Sequence, residues 1–168
     1  MADQKVFVLN APTHGTLRLD VDAAFRDNLN SYAIGGIIRN LDGQPILAFG
    51  RKIEKPLSVM FAELCAGLKI SEAHSIKLQH ITSDSLLAVQ AVMTEEENFS
   101  YAGALATDIR RLLASPGSPT LTHVRRSANN VAHSIADFSI SSTSPFVWER
   151  EIFFFWLINL VIKDISLF

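Results

Sequence analysis

The chain has 168 residues, 48% of them hydrophobic, with 15 basic and 17 acidic side chains. This size suits one domain with a substantial core, and the near-balance of charge excludes a general attraction for polyanions, so any nucleic-acid contact requires local basic patches. The single cysteine, Cys65, excludes a disulfide framework or a thiolate zinc site within one chain and predicts a reducing, intracellular location, cytoplasmic or nuclear. The start of the chain does not match a secretory signal, and we treat 1–15 as an N-terminal segment.

Three extended segments come first in the chain and predict an antiparallel meander over 17–25, 31–40 and 46–53. The turn LDGQP between the second and the third segment is typical of a hairpin. Gly35 and Gly36 lie inside the second segment, which indicates a bulge or the close approach of another backbone.

Helices and strands alternate through the following residues. From Ser58, apolar side chains recur every three to four positions, which predicts a helix over 58–75. Further patterns predict a strand over 79–83, helices over 84–97 and 101–115, a strand over 120–126 and a last helix over 128–140. A meander followed by such crossovers predicts an α/β fold with a mixed sheet, parallel later strands and helices on both faces.

The last part of the chain, 144–168, is an apolar tail. Its apolar run from Ile152 to Ile162 is shorter than the roughly 17 to 25 residues of a membrane span, and we expect no span. A packed element or a surface for protein contact is the expected role of this tail.

Three acids stand at positions that favour a functional role. Asp22 shares one strand face with Asp20, Glu63 lies beside an apolar helical stripe, and Asp84 ends a strand, where α/β sheets gather ligands. Each acid also has an ordinary explanation: a solvated strand face, a surface helix acid, and a helix N-cap at Asp84 or Ser85.

Five segments then identify a family resemblance. In order and separation they resemble the ribonuclease H-like domain of plant retrotransposon-derived reverse transcriptases: LRLDVDAAF, GGIIRNLDG, AELCAGLKISEA, ITSDSLLAVQAV and HVRRSANNVAHSIADFS. The resemblance covers about 16–143. It implies a ribonuclease H-like fold with a five-stranded mixed sheet in the order 3-2-1-4-5 and helices on both faces.

The resemblance also implies a chemistry. Its active members are endonucleases that cleave the RNA strand of RNA/DNA hybrids with two Mg²⁺ or Mn²⁺ ions and no organic cofactor. Asp22, Glu63 and Asp84 match the family's metal-binding acids. His133 stands at the fourth catalytic position, where active enzymes carry aspartate and plant members also carry histidine; imidazole is softer than Mg²⁺ prefers and brings no negative charge. Asp137, one helical turn further on, is an alternative source of that charge.

Candidate contacts to a nucleic acid lie around the start of the last helix, where backbone amides also favour a phosphate. They are Arg125, Arg126, Asn129 and Asn130, with Arg110, Arg111, Arg51 and Lys52 as extensions of the track. Recognition would depend on hybrid shape and 2′-hydroxyls rather than on sequence.

Two functional hypotheses stay open. The retained acids favour an RNA/DNA-hybrid endonuclease, whereas His133, the near-neutral charge and the apolar tail favour a degenerate module that binds nucleic acid or protein without cleavage. A serine or cysteine hydrolase is disfavoured, because the chain has no nucleophile-elbow motif and Cys65 lies in a helix without an evident base.

Overall fold

A computed structural model describes residues 15–53, 58–94, 100–149 and 155–165. The predicted N-terminal segment, 1–15, therefore lies outside the described residues except for Gly15. The described strands are β1 Leu17–Arg26, β2 Ser31–Asn40, β3 Pro45–Ile53, β4 His80–Ser83, β5 Thr120–His123 and β6 Phe146–Glu149. The described α-helices are α1 Val59–Ala73, α2 Leu86–Met93, α3 Tyr101–Leu113, α4 Asn130–Ser141 and α5 Phe155–Ile165, with short 3₁₀ turns at Asp27–Leu29 and Arg126–Ala128.

The strands form one mixed sheet in the order β5-β4-β1-β2-β3-β6. The meander β1-β2-β3 is antiparallel, and β4 and β5 add to β1 in parallel. The predicted fold and the predicted order 3-2-1-4-5 are confirmed for the first five strands. The predicted number of strands is wrong, because Phe146–Glu149 pairs antiparallel with β3 and adds a sixth strand at that edge.

Glycines shape the meander in two places. Gly43 adopts a φ of 76° in the hairpin turn between β2 and β3, a conformation that side chains disfavour. At Gly35 on β2, a Cβ atom would collide with the backbone of Ala136 on α4. The close approach predicted for this stretch is therefore the direct contact of α4 with the sheet.

Each face of the sheet has its own core. Leu19 and Val21 of β1 pack with Phe61 and Leu64 of α1 and with apolar side chains of α2 and α3. On the opposite face, Ile37 and Ala48 of the sheet pack with α4, with Trp148 of β6 and with Leu157 and Val161 of α5.

The described part of the C-terminal tail is thus packed on the second face. The division into 1–15, 16–143 and 144–168 stays a prediction. Among the described residues, no helix combines the length and the apolar character needed to cross a membrane.

Candidate functional site

Asp22 lies near the middle of β1 with only 6% of its surface exposed. Its Oδ1 accepts a hydrogen bond from the backbone N–H of Ala23, and its Oδ2 lies 2.8 Å from Nδ1 of His133 on α4. The structure therefore brings the predicted first and fourth catalytic positions into direct contact. The contact depends on the even-numbered side chains of β1 facing α4.

Glu63 is buried in α1, with 3% of its surface exposed. The hydroxyl of Ser83, the last residue of β4, donates a hydrogen bond of 2.7 Å to Glu63 Oε1, and the same oxygen of Ser83 accepts from the backbone N–H of Ser85. The ordinary explanation of Glu63 as a surface helix acid is wrong. Ser83 is a positioning residue that sequence reasoning missed, although it directly precedes Asp84.

Asp84 follows β4 immediately and is half-buried. The N-cap of α2 is Ser85, whose hydroxyl accepts a hydrogen bond from the backbone N–H of Ala88. Because Ser85 caps α2, the Asp84 carboxylate is not needed as the N-cap of that helix. Its charge acts instead on the other acids of the site.

Two of the three acids, Asp22 and Glu63, have perturbed pKa values. Burial, followed by the charge of Asp84, raises the pKa of Asp22 above its ordinary value, although its hydrogen bonds oppose the shift. Burial raises the pKa of Glu63 well above its ordinary value; the hydrogen bond from Ser83 opposes this, and the charges of Asp22 and Asp84 add to it. Mutual repulsion of this kind is what a bound cation would relieve.

The donor set of these acids fits a hard divalent cation, because carboxylate oxygens are the ligands that Mg²⁺ and Mn²⁺ prefer. In the ranges that the structure describes, however, no three histidine, cysteine, aspartate or glutamate side chains form a group that could hold a metal ion. The charges of these acids contribute to raising the pKa of Asp22 and of Glu63, but the acids are not gathered around one point.

Asp137 does not supply the fourth negative charge. It lies on α4 with its carboxylate half exposed, 3.1 Å from the guanidinium of Arg26 at the end of β1. The alternative role considered for Asp137 is therefore wrong, and His133 alone reaches Asp22 from this helix among the described residues.

The predicted nucleic-acid contacts separate into two groups. Arg125, Arg126 and Asn130 are exposed around the 3₁₀ turn that precedes α4, and their role stays a prediction. Asn129 contradicts its predicted role because it is 1% exposed, and its side-chain amide donates a hydrogen bond of 2.8 Å to the carbonyl of Val21. It fixes the start of α4 to the strand that carries Asp22.

The proposed extensions of the basic track also differ from one another. Arg110 donates hydrogen bonds to the carbonyls of Ala91 and Val92 at the end of α2, so it has a structural role. Arg111 pairs with Asp108 on the surface of α3. Arg51 and Lys52 are exposed on β3, and their role as extensions of the track stays a prediction.

Asp20, one pleat before Asp22, accepts several buried hydrogen bonds. It is 1% exposed; its Oδ2 accepts from Nε and Nη2 of Arg39 at 3.0 and 2.5 Å, and its Oδ1 accepts from the hydroxyl of Thr82 at 2.6 Å. Arg18 adds a contact of 2.8 Å to Asp20 Oδ1, and Nη1 of Arg39 reaches Asp164 on α5 at 2.5 Å. Burial alone would lower the pKa of Arg39, but Asp20 and Asp164 outweigh it and raise that pKa.

Comparison with known families decides the relationship. Residues 20–139, well over half of the chain, match the family model described as reverse transcriptase-like. The chain belongs to the reverse transcriptase-like family. The matched span begins at Asp20, includes the three acids and His133, and ends within α4.

Solved structures place this family member among ribonuclease H folds. RNase H1 of the archaeon Halobacterium salinarum is 19% identical, with 76% of this chain and 98% of that chain covered and a TM-score of 0.61. The N-terminal RNase H domain of a Mycobacterium tuberculosis protein is 16% identical; the match covers 75% of this chain and 94% of that chain, with a TM-score of 0.62. LC11-RNase H1, solved in complex with an RNA/DNA hybrid, is 15% identical; the match covers 75% of this chain and 97% of that chain, with a TM-score of 0.60.

At these identities the likeness shows the fold alone, and it confirms the predicted ribonuclease H-like architecture. A search of curated proteins finds no significant match for this reverse transcriptase-like chain.

Proposed function

We propose that this chain is a metal-dependent endonuclease that cleaves the RNA strand of RNA/DNA hybrids. The observation that carries the proposal is the set of Asp22, Glu63 and Asp84. Burial and the charges of neighbouring acids raise the pKa of Asp22 and of Glu63. Among the described residues, no lysine or arginine pairs with any of the three acids, and only His133 contacts Asp22. Buried acids with raised pKa values are typical of functional sites, and ligands of α/β sheets bind near strand ends such as the one that Asp84 follows. The solved complex of LC11-RNase H1 with an RNA/DNA hybrid supports the choice of substrate class.

Asp22, Glu63 and Asp84 would hold the divalent ions. Bound Mg²⁺ or Mn²⁺ would supply the activation of water and the stabilisation of the leaving oxygen. The chain's own contribution is to keep the carboxylates in place: Ser83 fixes the Glu63 carboxylate, and the amide of Ala23 fixes one oxygen of Asp22.

His133 can orient Asp22 and handle a proton. When Nδ1 carries the hydrogen, it donates to Asp22 Oδ2 and leaves Nε2 as a proton acceptor on a ring that is 35% exposed. An imidazole held in this way can take a proton from water or return one to a leaving group.

Two observations favour the second candidate, a module that binds nucleic acid without cutting it. The same His133 contact occupies Asp22 Oδ2, an oxygen that a metal ion would need, and a fourth carboxylate is missing from the described site. The narrower assignment to plant retrotransposon-derived proteins, like the intracellular location, stays a prediction.

A cleavage assay tests the proposal. Purified protein with Mg²⁺ or Mn²⁺ should cut the RNA of an end-labelled hybrid and leave the DNA strand intact. Asp22→Asn should reduce the rate at least about a hundredfold, because metal ligation is worth several kcal/mol in such reactions. Asp137→Asn is the matched control, since that acid lies on α4 but points to Arg26, and its rate should equal that of the parent.

Two further measurements decide between the candidates. In a thermal melt, Mn²⁺ or Mg²⁺ should raise the midpoint of the parent but not that of Glu63→Gln, whether or not cleavage occurs. If the parent does not cut with either ion while His133→Asp does, the binding module is the correct assignment. Absence of both cleavage and a metal-dependent melt would refute the metal site itself.

A further inference from the structure

Two aromatic rings form an exposed stack at the end of the meander. Phe25 of β1 lies opposite Tyr32 of β2, with ring centroids 4.4 Å apart and planes inclined by 27°. Phe25 is 45% exposed, and neighbouring Leu29 is 54% exposed. A single exposed phenylalanine is ordinary on a protein surface, whereas a stacked pair of rings next to a candidate site offers a surface on which a planar group can stack.

The stack lies on the same face of the sheet as Glu63. Side chains of β1 alternate, so Phe25 shares its face with Val21, which packs against α1. Val21 is the partner of Ser83, whose hydroxyl holds the Glu63 carboxylate. Phe25 follows Asp22 by three residues, about 10 Å along an extended strand. That is the length of about three stacked nucleotides of one strand.

A cation lies beside the rings. Arg51 of β3 is the partner of Ile34, two residues after Tyr32 on β2, so it lies diagonally from Tyr32 on the same face. Arg51 is exposed and forms no ion pair with any described residue. Aromatic rings with a nearby arginine are the combination by which proteins bind single-stranded nucleic acid, the rings stacking on bases and the cation meeting the backbone.

The geometry of stacking selects the ligand. Phe25 is covered on one side by Tyr32 and remains nearly half exposed, so what it offers is a flat apolar surface. Paired bases inside a duplex are already stacked on both sides, whereas an unpaired base has a free face.

We propose that Phe25 and Tyr32, with Arg51 beside them, bind an unpaired nucleotide of a single-stranded extension that flanks the hybrid in the site. This inference rests on the proposed function, and it adds a preference for substrates in which hybrid and single strand meet.

Binding of labelled oligonucleotides tests the inference. In a Glu63→Gln background, which should not cut, fluorescence anisotropy at one fixed salt concentration compares a blunt RNA/DNA hybrid with the same hybrid carrying an unpaired RNA extension at either end. An extension at one end should tighten binding roughly fivefold to a hundredfold, the range for one stacked base.

Substitutions at one position separate stacking from general apolar contact. Phe25→Ala and Phe25→Leu should abolish the gain from the extension, whereas Phe25→Tyr should keep it, because only a planar ring can stack. Tyr101→Ala, which removes an exposed aromatic side chain from α3, is the matched control and should keep the gain.

The outcomes distinguish this inference from the proposed function. If the blunt hybrid binds but neither extension improves binding, or if Phe25→Leu keeps the improvement, the inference is wrong and the proposed function stands. If neither the blunt nor the extended hybrid binds, the proposed function is wrong, and the inference is refuted with it.

Discussion

Asp20 and Asp22 lie one pleat apart on the same face of β1, and both are almost completely buried. Asp20 is surrounded by groups that compensate its charge, with the Arg39 guanidinium and the Thr82 hydroxyl on its two oxygens. Asp22 receives one backbone hydrogen bond and contacts His133, but burial, followed by the charge of Asp84, raises its pKa. One strand therefore carries an acid that is paired with arginine and an acid that, among the described residues, has no arginine or lysine partner.

This difference separates stability from function along a single strand. A buried charge with matched partners fixes the packing of the elements that supply those partners, here β1, β2, β4 and α5. A buried charge next to like charges costs stability and persists in proteins where a ligand or a reaction needs it.

The largest expected effect is the loss of unfolding free energy on substituting Asp20. Asp20→Asn leaves the guanidinium of Arg39, 2% exposed, without its main counter-charge, and breaking a buried pair in this way costs about 3–5 kcal/mol of unfolding free energy. Urea denaturation without divalent ions measures it. Asp22→Asn is the comparison, and it should be as stable as the parent or more stable. Equal losses for the two variants would remove the distinction between the two acids.

A smaller loss is expected at the far end of the same network. Asp164→Asn removes the α5 partner of Arg39 while Asp20 remains, so we expect a loss of about 1–3 kcal/mol, the range for one hydrogen bond to a charged group and the polar atom left behind. Relative to the parent, Asp164→Asn should show a larger increase in the rate of amide hydrogen exchange in α5 than in β1.

The exposed ion pair of Asp108 with Arg111 provides the control for that experiment, because exposed pairs contribute less than about 1 kcal/mol. Asp108→Asn should leave both the unfolding free energy and the exchange of α5 nearly unchanged. Unchanged exchange in Asp164→Asn would show that the Arg39 contact does not hold α5 in place.

The smallest expected effect is a gain in stability on neutralising Glu63, in the candidate site. The pKa of Glu63 is raised in the folded chain and ordinary in the unfolded chain, so between those two values the folded chain binds more protons. Stability therefore falls as pH rises through that window. Glu63→Gln removes this penalty and should add about 0.5–2 kcal/mol at neutral pH in the absence of metal.

The pH dependence of that gain is its check. Denaturation in the presence of a chelator should show the parent and Glu63→Gln converging at acid pH, where the glutamate is protonated in both states. Glu72→Gln changes an exposed acid on the same helix and should follow the parent at every pH. A Glu63→Gln variant that is less stable than the parent at neutral pH would show that this carboxylate is compensated after all.

The sequence was informative where local pattern and family order determine the outcome. The alternation of β1, the apolar period of α1 and the crossovers were enough for the fold, and the position of Asp84 at a strand end was enough to place it near the site. The N-cap of α2 was predicted only as Asp84 or Ser85, because both residue types cap helices; the structure decides for Ser85.

Long-range partners could not be read from the sequence. Arg39 is 19 residues from Asp20 and 125 residues from Asp164, and no periodic pattern connects such positions. From the sequence, Asn129 is expected to be an exposed residue at a helix start. In the structure its side-chain amide is buried and donates a hydrogen bond to a backbone carbonyl of β1. The partner of β6 is likewise set by the tertiary placement of a four-residue segment.

The short strand β6 also bears on how the molecule behaves in a crowded solution. Without it, Leu47–Gly50 in the middle of β3 would present unpaired backbone groups at the edge of the sheet, an open template for another chain. With it, the outermost strand on this side has only four residues, and short edge strands are poor templates. Residues 146–149 thus cover this edge of the sheet, and we expect a fragment that ends at 143 to aggregate more readily than the full chain.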